Sequence, residues 1–101
     1  MTADDDILVT AGANLWRGAV AVGGRLTLRR RGLQFRAHAL NVQPEPLDIP
    51  VEEIVEVRRT RTMGIIPNGL AVITTQGLEI RFVVGDRDRF LDALAELRTR
   101  S

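Results

Sequence analysis

The chain is 101 residues long, 45% hydrophobic and 27% charged, with a formal net charge of +1. Length and composition bound it to one globular domain with a single core, and exclude a disordered or fibrous chain. The unbroken apolar runs fall far short of the roughly 20 residues that span a bilayer, and no secretory signal opens the sequence, so the expected location is cytoplasmic, at most peripheral to the inner face of the membrane.

The missing residue types restrict the chemistry. There is no cysteine or tyrosine, all 14 basic residues are arginine, the only serine is Ser101, and His38 is the only histidine. Thiolate nucleophiles, redox pairs, Schiff bases and the P-loop lysine are therefore excluded. One imidazole does not build a zinc site, and a terminal serine does not build a hydrolytic triad. No enzyme activity, cofactor, metal or small-molecule substrate is expected. The replacement of every lysine by arginine points to a G+C-rich genome and a bacterial source.

In chain order, residues 1–13 read as an acidic lead, with Asp4-Asp5-Asp6 ahead of an apolar anchor, Ile7-Leu8-Val9. Residues 14–98 form the domain and 99–101 a tail. A first strand over 14–22 is expected to turn at Gly23-Gly24 into a second over 25–30, where Leu26 and Leu28 alternate with Thr27 and Arg29. After Arg31-Gly32, residues 33–39 alternate with the same period of two. A proline-containing loop over 41–46 leads to a short edge strand, Leu47-Asp48-Ile49, stopped by Pro50. A turn over 51–54 precedes a strand over 54–62, with a bulge expected near Ile54. Met63 to Asn68 reads as a turn, 70–75 as a central strand apolar on both faces, and Gln76-Gly77 as a turn. In the last strand Leu78, Ile80, Phe82 and Val84 alternate with Glu79 and Arg81. The period then changes: Asp86 is placed to cap a helix whose Phe90, Ala93, Leu94 and Leu97 share one face, with Arg98 off it and expected to be dispensable.

Seven short strands in meander order followed by one amphipathic helix is the order of a pleckstrin-homology-like barrel, mainly β, with seven antiparallel strands in two near-orthogonal sheets capped by the helix. The chain resembles the GRAM domain branch of that superfamily, of bacterial type, from about Ile7 to Leu97. The matching segments are Gly23 to Leu28, Leu33 to His38 with Asn41 behind it, Ile49 to Ile54 with Val57, Gly64 to Leu70, and Arg81 to Val84. The resemblance implies a non-catalytic binding module. It does not imply a typical phosphoinositide site, because the long basic loop that such domains carry between their first two strands is reduced here to Gly23-Gly24.

Two functional readings follow. One is a protein-interaction or self-association domain that uses an open strand edge, at 47–49 or near Trp16. The other is a peripheral binder of anionic membrane lipid through the loop from Arg58 to Gly69, where Arg58, Arg59 and Arg61 precede Met63 and Ile65 and no acid intervenes. Ile65 and Ile66 could instead close a barrel end. Arg25, Arg29, Arg30, Arg31 and Arg36 form a second, basic face, set against the alternative that these arginines pair with Glu52, Glu53, Glu56 and Glu79. Nucleic acid is not an expected partner, because Trp16, Phe35, Phe82 and Phe90 occupy core positions rather than exposed stacking positions. His38 reads as a structural residue.

Overall fold

The computed structural model describes residues 6–18, 20–38, 46–62 and 66–99. The acidic triplet apart from Asp6, the segment 39–45 with Asn41, Met63 to Ile65, and the last two residues lie outside the described residues. The strands are β1 (Ile7–Arg17), β2 (Val20–Arg29), β3 (Gly32–Ala37), β4 (Leu47–Pro50), β5 (Ile54–Thr62), β6 (Ile66–Thr74) and β7 (Glu79–Val84). A single 3-10 turn, Val51–Glu53, separates β4 from β5, and helix α1 (Arg87–Thr99) closes the described chain. The strands form one antiparallel sheet in the order β4-β3-β2-β1-β7-β6-β5. The two sheets expected from sequence are halves of this ladder, joined where β1 pairs with β7 over Ala13–Leu15. Strand order, connectivity and a C-terminal helix packed on the sheet make this a pleckstrin-homology-like fold.

Alternation explains the core. Leu26 and Leu28 of β2, Leu33 and Phe35 of β3, Leu70 and Val72 of β6, and Phe82 and Val84 of β7 all point inward. Phe35 and Phe82, one from each half, stack with centroids 5.9 Å apart at 44°. Phe90 and Leu94 of α1 complete this cluster, with Ala93 and Leu97 partly buried against it, as the helical spacing requires. Ala71 is also buried, and β6, expected to be central, is an internal strand between β7 and the edge strand β5.

Four expectations change. Gly23 and Gly24 lie inside β2, and the β1–β2 turn is at Gly18, whose φ of 60° suits glycine. Gly24 is needed for close approach: a Cβ there would overlap the Arg36 carbonyl and sit 2.6 Å from Phe35 Cζ and 2.9 Å from Ala37 Cα. Second, Ile7 to Ala13 belong to β1 rather than to a lead, because this paired register carries Val9 and Ala13 into the core. Third, Pro67-Asn68-Gly69 is strand, not turn. Thr60 pairs with Gly69 and Thr62 with Ile66, so β6 carries one extra residue there, a bulge where proline's missing N–H is tolerated. Leu78, expected inward, is exposed because its backbone closes a turn with Thr74: the Thr74 N–H donates to Leu78 O at 2.9 Å, and the Leu78 N–H donates to Thr74 Oγ1 at 3.3 Å.

The β5 bulge is present, with Val55 unpaired between Ile54↔Thr74 and Glu56↔Ile73. Both ends of α1 are tied to β5 where the ladder is irregular. Arg87 Nη1 donates to Thr60 O at 3.1 Å and Gly69 O at 3.5 Å, and Arg98 Nη2 donates to Val55 O at 2.5 Å. Arg98, off the buried face of the helix, thus holds a contact with the sheet.

Chemical denaturation tests these contacts. Leu94→Ala is expected to cost about 2 to 5 kcal/mol as a core truncation and Arg98→Ala about 1 kcal/mol for its lost hydrogen bond. Gly24→Ala should cost about 1 to 3 kcal/mol through overpacking. Gly12→Ala should change little, since a Cβ at Gly12 meets nothing within 4 Å. Equal effects at the two glycines would contradict the close approach of β2 and β3.

Candidate binding groove between β5 and α1

The sheet ends at β4 and β5, so two strand edges carry backbone groups without a strand neighbour among the described residues. The expected edge at Leu47-Asp48-Ile49 is β4; β1, the strand of Trp16, is internal. β4 is four residues long and ends in Pro50. β5 is nine residues long, and beside it runs a groove of about 570 Å³ lined by Val57, Arg58, Arg59, Leu91, Leu94 and Arg98, together with Asp92 and Ala95.

This groove follows from local sequence. Leu91, Ala95 and Arg98 stand at i, i+4 and i+7, a second helix stripe beside the buried one. Arg98, held on the Val55 carbonyl, and Arg87, held on that of Thr60, fix the helix at two points along β5. Between those points Val57 is half-buried, packed against the core, while Glu56 and Arg58 are exposed. Sequence reasoning missed the Leu91 stripe; its signal is an apolar residue one step off the main face, weak until the helix is docked.

The residues expected to contact a ligand or membrane are divided. Arg58 and Arg59 line the groove, Arg58 with its Nε 2.6 Å from Glu56 Oε2 and Arg59 with its Nη2 3.8 Å from Asp88 Oδ1. Arg61 is on the far side of that hairpin end, in a separate depression of about 380 Å³ with Trp16, Gly18 and Arg81, and makes no ion pair among the described residues. Trp16, expected in the core, is 36% exposed because Ala13 and Leu15 take the inward positions of β1. Met63 and Ile65 lie outside the described residues.

The five-arginine face is also divided. Arg25 and Arg36 are register partners, with Arg29 further along β2 on the same side. Arg36 Nη2 donates to Asp48 Oδ1 at 3.1 Å and Arg29 Nε to Gln34 Oε1 at 2.9 Å. Arg30 turns toward α1, lining a small cavity with Leu8 and Leu97, and its Nε is 3.7 Å from Asp6. Arg31 is exposed in the β2–β3 turn. Asp6 and Asp48 lie beside Arg30 and Arg36 of this face, and Glu56 and Glu79 pair with Arg58 and Arg81. His38 is exposed after β3, its backbone N–H donating to Gly23 O at 3.0 Å. Among the described residues, no three histidine, cysteine or carboxylate side chains converge as metal ligands, and no helix is long and apolar enough to cross a membrane.

The Arg58 hydrogen bond holds the Glu56 carboxyl below its ordinary pKa, with the Arg58 and Arg98 charges adding to the effect. A carboxyl whose pKa is lowered by folding stabilises the fold above its unfolded pKa, and that contribution is lost as pH falls through the folded value. In an NMR titration Glu56 should therefore protonate below the ordinary carboxyl range. Arg58→Ala should return it toward the ordinary value; an unchanged Glu56 midpoint would contradict the pair.

No family model and no curated relative matches the chain. Solved structures similar to it include the following two. The C-terminal domain of an unknown protein from Leishmania infantum superposes with a TM-score of 0.80 at 18% identity, over 94% of this chain and 85% of that one. Inner membrane complex sub-compartment protein 3 from Toxoplasma gondii superposes with a TM-score of 0.64 at 15% identity, over 91% of this chain and 74% of that one. At these identities the likeness is one of fold alone.

Proposed function

We propose that this chain is a non-catalytic, GRAM-type binding module whose partner is a protein segment that adds as a strand to the β5 edge, in the groove beside α1. The observation that carries this reading is the pairing of a long terminal strand with an apolar helix stripe at a spacing fixed by Arg87 and Arg98. An added strand takes its affinity from main-chain hydrogen bonds and its selectivity from side-chain pockets on alternate positions. Val57, Leu91 and Ala95 offer such a pocket to one side chain of the incoming segment. The inventory of residues supports the non-catalytic part: one histidine, no cysteine, no lysine and a single terminal serine. The GRAM assignment rests on the sequence segments that resemble that branch.

Selection of peptides from a random displayed library tests it. Selected peptides should protect β5 amides from hydrogen exchange and lose affinity at least tenfold in Ala95→Arg, which fills the groove from an exposed helix position without touching the core. Peptides that protect other strands, or bind Ala95→Arg unchanged, would overturn the groove as the site.

A second reading, attachment to anionic lipid, is favoured by Arg61, exposed and without an ion pair among the described residues two positions before Met63. The Toxoplasma relative is itself named for an inner membrane complex. Each arginine at an anionic surface contributes about 1 kcal/mol, which salt screens. Co-sedimentation with anionic vesicles should then fall with salt and fall again in Arg61→Glu; wild type that stays in the supernatant at low salt removes this reading.

A further inference from the structure

We propose that the β5 edge is self-complementary and that a second copy of this chain pairs with it, antiparallel, about a two-fold axis through Val57. The proposal rests on the reading of β5 as the binding edge and specifies its occupant. In a two-fold interface residue i meets j and j meets i, so a strand that pairs with itself must carry its own complement in reverse. Side chains directly opposite one another in an antiparallel pair share a face, so the axis must pass through a residue, not between two.

The β5 sequence leaves one choice along its charged stretch. An axis through Glu56, Arg58 or Arg59 sets that residue against its own copy, a like-charge pair that destabilises the ladder. An axis through Val57 sets Glu56 against Arg58 of the second copy and Arg58 against its Glu56, two opposite-charge pairs flanking Val57 on Val57. Glu56 and Arg58 already meet within one chain, on the exposed side of the strand, so pairing would join them into an alternating ring of four charges. The apolar consequences agree. The second Val57 would lie over the groove lined by Leu91 and Ala95. Val55, 53% exposed at the bulge, would face Arg59 of the second copy, whose aliphatic stem can cover it. β4 has no comparable pattern in its four residues.

Charge reversal in trans tests the register. Wild type should show concentration-dependent dimerisation in analytical ultracentrifugation. Glu56→Arg alone and Arg58→Glu alone should each weaken it at least tenfold, because each places like charges across both pairs. An equimolar mixture of the two variants should recover a heterodimer: one copy then carries arginine at both positions and the other glutamate at both, so each cross-strand pair again joins opposite charges. The pair within each variant stays broken, so recovery cannot come from repair of the monomer. The chain has no cysteine, so Val57→Cys places a single thiol at the axis, and mild oxidation should give a covalent dimer. A wild type that remains monomeric yet takes up library peptides along β5 overturns self-pairing and leaves strand addition standing. A dimer indifferent to both reversals, or a mixture that fails to recover, overturns the proposed register.

Discussion

Among the described residues β1 is the only strand shared by the two halves of the sheet, and it pairs on both sides over just Ala13–Leu15. Away from those residues the halves part, and the space between them must be filled by side chains rather than bridged by backbone. Phe35 and Phe82 fill it from opposite halves, and Phe90 and Leu94 close it from α1. A helix of 13 residues would be marginal alone in water, so α1 owes its stability to that gap as much as the gap owes its closure to α1. The same short junction leaves the sheet with two ends, β4 and β5, and so creates the edges on which the binding proposals depend.

Bulges turn the β5 end from a liability into a structured surface. A bulge leaves backbone groups without ladder partners, and such groups are costly to bury unpaired. Arg98 meets the carbonyl of Val55, which the ladder leaves unpaired, and Arg87 meets the carbonyls of Thr60 and Gly69 beside the second bulge, one arginine from each end of the helix. The helix is therefore registered against β5 by charged hydrogen bonds and against the core by apolar contact. These are two independent constraints, and together they hold the groove between them open. β4 is managed in the more common way, by brevity and a terminal proline.

Surface charge plays a smaller part than its clustering along the chain suggests. In residues 25–36, Arg30 lies beside Asp6 and Arg36 pairs with Asp48, and Arg58 and Arg81 find their acids two residues away along the strand. Interleaving of this kind lowers the long-range field and favours short-range complementarity, which suits recognition by a matched strand better than attraction to a uniformly charged partner.

What the sequence determined by itself was set by periods and punctuation. Alternation marked β3 and, apart from Leu78, β7 with their inward residues, the two-sided apolar run marked β6 as an internal strand, Pro50 ended β4, and the change to a 3.6-residue period after Gly85 placed α1 and the burial of Phe90 and Leu94. These features are local, because a residue's face depends only on its neighbours' conformation. What only the tertiary structure decided was the meaning of residues whose role depends on distant partners. Gly24 has the signature of a turn residue but is small because β3 passes against it; Pro67 looks like a turn and marks a bulge; Trp16 looks like core and lies on the outer face. Arg87 and Arg98 look like solvated helix charges, yet they meet carbonyls on a strand far away in sequence, and the groove they define, with the exposed Glu56-Val57-Arg58 edge beside it, exists only once helix and sheet have docked.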